Sequence, residues 1–146
     1  MVQNKLLKID SIGNESSELL KILDIVINHN TPITEYFFAI PSFDGLPNEN
    51  FEGSFMEFYD HVNKESDLLI VNLDDLKRKI SGVRQIFDLL LLIDHTTDQF
   101  KKYTIEEENI MYRNIYLTIA YFDGGFWEIS SQDNLLIERL ENTLSF

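Results

Sequence analysis

Three histidines, His29, His61 and His95, each have an aspartate close by in sequence: Asp24, Asp60 and Asp94. Imidazole with carboxylate is the chemistry of general acid–base work and of several divalent metal sites. The dipeptide Asp-His occurs at 60–61 and again at 94–95, but no H-E-x-x-H spacing orders these residues as ligands. The ordinary reading is of capping or surface histidines, and no metal or cofactor is expected. Carboxylates recur at Asp44, at Asp74-Asp75 and in the run Glu106-Glu107-Glu108. Paired acids catalyse when a fixed separation drives their pKa values apart. Runs such as these more often form solvated faces. Nucleophile elbows, phosphate loops and dinucleotide fingerprints do not occur in the chain. An enzyme is therefore not expected.

The other concentration of chemistry is "YFDGGFWEIS", residues 121–130, four aromatics around an Asp-Gly-Gly corner. A three-residue turn at 123–125 sets Phe122 opposite Phe126, Tyr121 opposite Trp127 and Ile119 opposite Ile129. One face of the hairpin then carries Ile115, Leu117, Ile119, Tyr121, Trp127 and Ile129. The other carries Tyr116, Thr118, Ala120, Phe122, Phe126 and Glu128. A two-residue turn would mix the faces, and a slip of one residue moves every side chain across the sheet. Gly125 meets the left-handed position that such a turn requires. Trp127 is expected in the core and Asp123 in the turn. Phe122, Phe126 and Glu128 are left as a contact patch if their face is open.

The elements that must position these residues follow from periodicity and punctuation. Residues 3–12 suit a first strand. Asn14 caps a helix over 15–28, with Glu15 and Glu18 in its first turn. "ITEYFFAI", 33–40, is β-branched and aromatic between Pro32 and Pro41 and reads as a strand. A polar loop over 41–54 follows. Phe55 to Val62 has helical spacing, and 67–73 suits a short strand. Asn72 or Asp74 can cap a long helix over 74–94, striped by Leu76, Ile80, Val83, Phe87, Leu90 and Ile93. Gly82 weakens it by about 1 kcal/mol. A loop with at most one helical turn fills 95–111, and 112–122 gives the strongest strand signal. Ser130 or Ser131 caps a last helix over 132–142, with Asp133 in its first turn.

The 146 residues fit one domain, 1–146, with a core large enough to need no staples. No cysteine is present, which excludes disulfides and thiolate metal sites and suits a reducing compartment. No signal segment is seen at 1–10 and no apolar run is long enough to span a membrane, so a cytoplasmic protein is expected. Twenty-five acids against twelve Lys and Arg leave a net charge of −13. Nucleic acid and anionic membranes are unsuitable partners for such a surface, whereas a basic partner would be steered toward it.

Residues Tyr116 to Leu140, with "FDGGFWEISSQDNLLIERL" at their centre, resemble the strand–turn–Trp-Glu–strand–helix endings of small acidic immunity proteins from bacterial polymorphic and contact-dependent toxin systems. The resemblance implies an inhibitor of a cognate toxin, often a basic nuclease, that occludes its site with acids and aromatics. It transfers no binding residue individually. The expectation is an α+β domain, an antiparallel or mixed sheet of about four to five strands carrying helices 15–28, 74–94 and 132–142. Its expected partner-binding residues are Phe122, Asp123, Phe126, Glu128, Asp44, Glu106, Glu107 and Glu108. Two alternatives stay open: a small enzyme or ligand-binding domain using an Asp-His pair at His61 or His95, and a regulatory or scaffold subunit.

Overall fold

The computed structural model describes residues 5–29, 35–64, 67–144 and 146. It is an α+β fold whose six-stranded antiparallel sheet has the order β1-β6-β5-β4-β2-β3. The strands are β1 (Lys5–Asp10), β2 (Phe37–Pro47), β3 (Leu69–Val71), β4 (Val83–Asp94), β5 (Leu117–Phe122) and β6 (Phe126–Ser131). The helices are α1 (Glu15–His29), α2 (Phe55–Lys64), α3 (Leu73–Ser81), α4 (Glu108–Asn114) and α5 (Asn134–Thr143), with a 3-10 turn at Ile105–Glu107. The sheet is thus larger than four or five strands and wholly antiparallel, and more than three helices accompany it.

One face of the sheet holds the main core. Leu7, Phe38, Ile40, Phe43, Leu89, Leu91, Ile93, Leu117, Ile119, Tyr121, Trp127 and Ile129 meet the apolar stripes of α1, α2, α3 and α5 there. Trp127 is fully buried, as its place on the apolar hairpin face requires. Its indole N–H donates to Glu18 at 2.9 Å. Glu18 also accepts from Ser11 Oγ and from the backbone N–H groups of Ile12 and Asn14. One buried carboxylate therefore ties the turn before α1 to the hairpin. Burial alone would raise its pKa, but the hydrogen bonds from Ser11, Trp127, Ile12 and Asn14 hold it below the ordinary glutamate value.

The largest departure from expectation lies at 74–94. The helix ends at Ser81, Gly82 forms its C-cap, and Val83–Asp94 is a central strand. Leu89, Leu91 and Ile93 enter the main core, while Leu92 enters a second cluster on the opposite face with Ala39, Met111 and Ile115. A strand covered on both faces loses its alternation and reads as a continuous apolar run, which mimics a buried helix. Asn72 does cap α3, accepting from the Asp75 N–H at 2.8 Å. Gly82 is there for contact: a Cβ would sit 2.6 Å from the Phe51 Cα.

The expected loop over 41–54 is also corrected. β2 runs on to Pro47, carrying Pro41 in a register shift between Ala39 and Ser42. Pro41 has no N–H to give, and a bulge is where a strand tolerates that. β3 pairs only with Phe38, Ala39 and Ile40. Beyond it, the Asn63 side chain serves Phe43 as a neighbouring strand would, donating to its carbonyl at 2.7 Å and accepting from its N–H at 3.2 Å.

Residues 108–114, expected as loop and strand, form α4. The strand begins at Leu117, and Ile115 points into the second cluster instead of sharing the face of Leu117. The last helix starts at Asn134, with Asp133 as N-cap in place of Ser130 or Ser131. The first strand, α1, α2, the short third strand and the hairpin lie close to where they were expected. Residues 3, 4, 33 and 34, expected in strands, fall outside the described residues.

A candidate acidic and aromatic cleft on the second sheet face

The hairpin has the register expected of a three-residue turn: Phe122 pairs with Phe126, Tyr121 with Trp127 and Ile119 with Ile129. Gly125 takes φ +86°. Phe122 and Phe126 therefore share the face opposite the main core, and their rings stack with centroids 5.2 Å apart. Register carries this row across the sheet. Asp10 lies opposite Phe126 and Asp44 opposite Asp88. Asp88 is one step beyond the Leu89–Tyr121 pair, beside Phe122. The row thus reads Asp10, Phe126, Phe122, Asp88, Asp44, two phenylalanines flanked by acids.

The next row holds Lys8, Glu128, Ala120, Leu90 and Ser42. The Lys8 ammonium stands 4.1 Å from the Phe126 ring centroid. α4 and the chain leading to it cover only part of this face. An open cleft of about 270 Å³ remains, with Asp88, Leu90, Ala120 and Phe122 on the sheet side and Tyr103, Ile105, Glu108 and Tyr112 opposite. Tyr112 donates its hydroxyl to Glu108 at 3.0 Å. Burial, helped by that bond and by the charges of Glu108 and Glu128, pushes the Tyr112 phenol up to about 12. Burial likewise raises Tyr103. Both phenols remain neutral donors at physiological pH.

The expected contact residues divide. Phe122, Phe126, Glu128 and Glu108 come together around the cleft, and Asp44 joins the row two strands away. Asp44 also accepts from the Tyr59 hydroxyl at 3.2 Å. Asp123 is exposed in the turn. Glu107 serves the fold: it accepts from the Thr104 N–H in a capping box and pairs with Lys101. Those hydrogen bonds, with that from Lys101 foremost, bring its pKa to about 2. Glu106 is exposed beside it, with no role in the cleft lining. Asp88, Asp10, Tyr103 and Tyr112 were missed. Asp88 was hidden inside the expected helix, although Asp88, Leu90 and Leu92 alternate with Leu89, Leu91 and Ile93.

The Asp-His neighbours are rearranged. Asp24 pairs with Lys77, and His29 instead meets Asp133, Nε2 to Oδ2, at 3.2 Å. The Tyr116 hydroxyl donates to the same oxygen at 2.7 Å. Asp60 pairs with Lys64, and His61 is exposed. Asp94 accepts from the backbone N–H groups of His95 and Tyr116. The His95 ring packs between Tyr36 and Tyr116, at 4.7 and 4.8 Å. Among the described residues no group of three or more His, Asp or Glu side chains is arranged to hold a metal ion. Nor is any helix among them long and apolar enough to cross a membrane.

No protein-family model, curated protein or solved structure matches the chain. The resemblance to immunity proteins rests on residues 116–140 alone.

Proposed function

We propose that this chain is a cytoplasmic binding protein that neutralises a basic protein partner, most simply a toxin whose site it occludes. The single observation that supports the reading is the row of two stacked phenylalanines flanked by Asp10, Asp88 and Asp44. Aromatic anchors supply affinity in such interfaces, and the surrounding acids set association rate and partner choice. The net charge of −13 supports a cationic partner over an anionic one.

The test is a nuclease-treated pull-down from source-cell lysate at low salt, followed by co-expression of the captured basic protein with this chain. Suppressed toxicity, lost on Asp44→Lys with Asp88→Lys, is the expected result. Association unchanged by those charge reversals at low salt sinks the reading.

A second reading, a ligand-binding or catalytic domain using an Asp-His pair, has one observation in its favour. His29 meets Asp133, which also accepts from the Tyr116 hydroxyl, and the Nδ1 atoms of His29 and His95 are buried without a hydrogen-bond partner among the described residues. Ligand binding that survives His29→Ala and His95→Ala would remove it.

A further inference from the structure

We propose that the cleft between α4 and strands β4 and β5 receives a single arginine side chain presented by the partner protein. The inference rests on the binding reading for the existence of a partner, and on the cleft's own chemistry for the identity of the group.

Three features select a guanidinium. The first is charge. Asp88 stands on the sheet wall and Glu108 on the opposite wall, and among the described residues no lysine or arginine pairs with either. Of the cations near the helical wall, Lys101 is committed to Glu107, Lys102 donates to the Val62 carbonyl, and Arg113 on α4 is exposed and does not line the cleft; Lys8 is committed to the Phe126 ring. The second is surface. Tyr103, Tyr112 and Phe122 line the cleft with aromatic rings over a floor of Leu90, Ala120 and Met111. A planar, weakly hydrated guanidinium stacks on such rings, whereas an ammonium keeps its water. The third is preorganisation. The Tyr112 hydroxyl fixes one Glu108 oxygen at 3.0 Å, which orients the carboxylate for a charge-assisted bond through the other.

The volume agrees. The open cleft of about 270 Å³ has room for one long side chain. A second copy of the chain is a poor occupant, because it would bring another −13 of charge against these acids.

The experiment uses the unmodified protein labelled with ¹⁵N and two probes, N-acetyl-arginine amide and N-acetyl-lysine amide. The arginine probe should move the backbone amide signals of Asp88, Glu108, Tyr112 and Phe122 saturably, binding about tenfold tighter than the lysine probe, a difference of about 1.4 kcal/mol. Asp88→Asn with Glu108→Gln should abolish saturation, and Asp24→Asn on α1 should leave it unchanged. Equal response to both probes, or shifts scattered over the acidic surface, overturns the proposal. So do shifts that grow with protein concentration without any probe, which would assign the cleft to a second copy. The two readings fail separately. A captured partner that binds Asp88→Asn with Glu108→Gln normally would remove the arginine site and leave the neutraliser. An arginine titration that succeeds without any toxic partner would do the reverse.

Discussion

Glu18 shows how a single side chain can join distant parts of this chain. It is almost fully buried, yet it receives hydrogen bonds from the indole of Trp127, the hydroxyl of Ser11 and two backbone groups. Glu18→Ala leaves the indole N–H without its acceptor in the core, and unfolding in urea should show a loss of about 1–3 kcal/mol. Asp133 behaves similarly at the start of α5: burial would raise its pKa, but Tyr116, the Leu136 N–H and His29 hold it below the ordinary value. Both carboxyls are thus depressed in the folded chain. Their stabilisation is complete above their ordinary values, 4.5 and 3.8, and is lost as pH falls through the lower folded values. Acid unfolding followed by tryptophan fluorescence should begin below about pH 4.5. In the Glu18→Gln variant that pH dependence should be shallower; an unchanged profile would remove Glu18 as a contributor.

Among the elements, the hairpin and α1 were legible because each keeps its large apolar core residues to one face, the other side of the hairpin holding small or polar Thr118, Ala120, Glu128 and Ser130. A half-covered strand pair alternates, and an amphipathic helix repeats at its own period. β4 was illegible for the opposite reason. Its Leu89, Leu91 and Ile93 and its Leu92 are buried on different faces, so nothing in the apolar run marks the strand. The acidic side of the cleft was lost with it, because Asp88 can be placed beside Phe122 only once the strand is known. Gly82, taken as a weak point within a helix, is the residue where α3 yields to β4 and Phe51 closes over the join. Gly82→Val should destabilise the fold by about 1–3 kcal/mol through overpacking. Gly125→Ala, at φ +86° with open space around it, should cost only the left-handed strain of about 1–2 kcal/mol. Thermal unfolding of the pair separates the two causes: a larger loss in the second variant would contradict the packing account of Gly82.

For the molecule as a whole, charge sets the behaviour. The lysine and arginine ion pairs among the described residues use exposed or half-exposed side chains, such as Lys64–Asp60 and Lys77–Asp24, and such pairs contribute little. The excess of acids is left to repel itself. Raising salt from about 10 mM to about 150 mM shortens the Debye length from about 30 Å to about 8 Å. Self-repulsion should weaken accordingly, and a gain of about 1 kcal/mol would read as a rise in Tm of about 2–4 °C. A fall in Tm would mean that attraction within the fold outweighs repulsion. The same screening should slow association with a basic partner, and stopped-flow rates at the two salt concentrations would measure it.

The pairing of β1 with β6 has a consequence for synthesis. Lys5 meets Ser131, and Asp10 meets Phe126. A ribosome releases the residues of β1 well before those of β6, which follow roughly 120 residues later. At about 5–20 residues per second, that wait is many seconds long. During it, Leu7 and Ile9 have no sheet to join. α1 likewise waits for α5 to complete its packing. The fold therefore closes late, through contacts between elements more than about 100 residues apart. Lys5, Lys8 and Asp10 put charges along the waiting strand, which disfavours its pairing edge-to-edge with other chains.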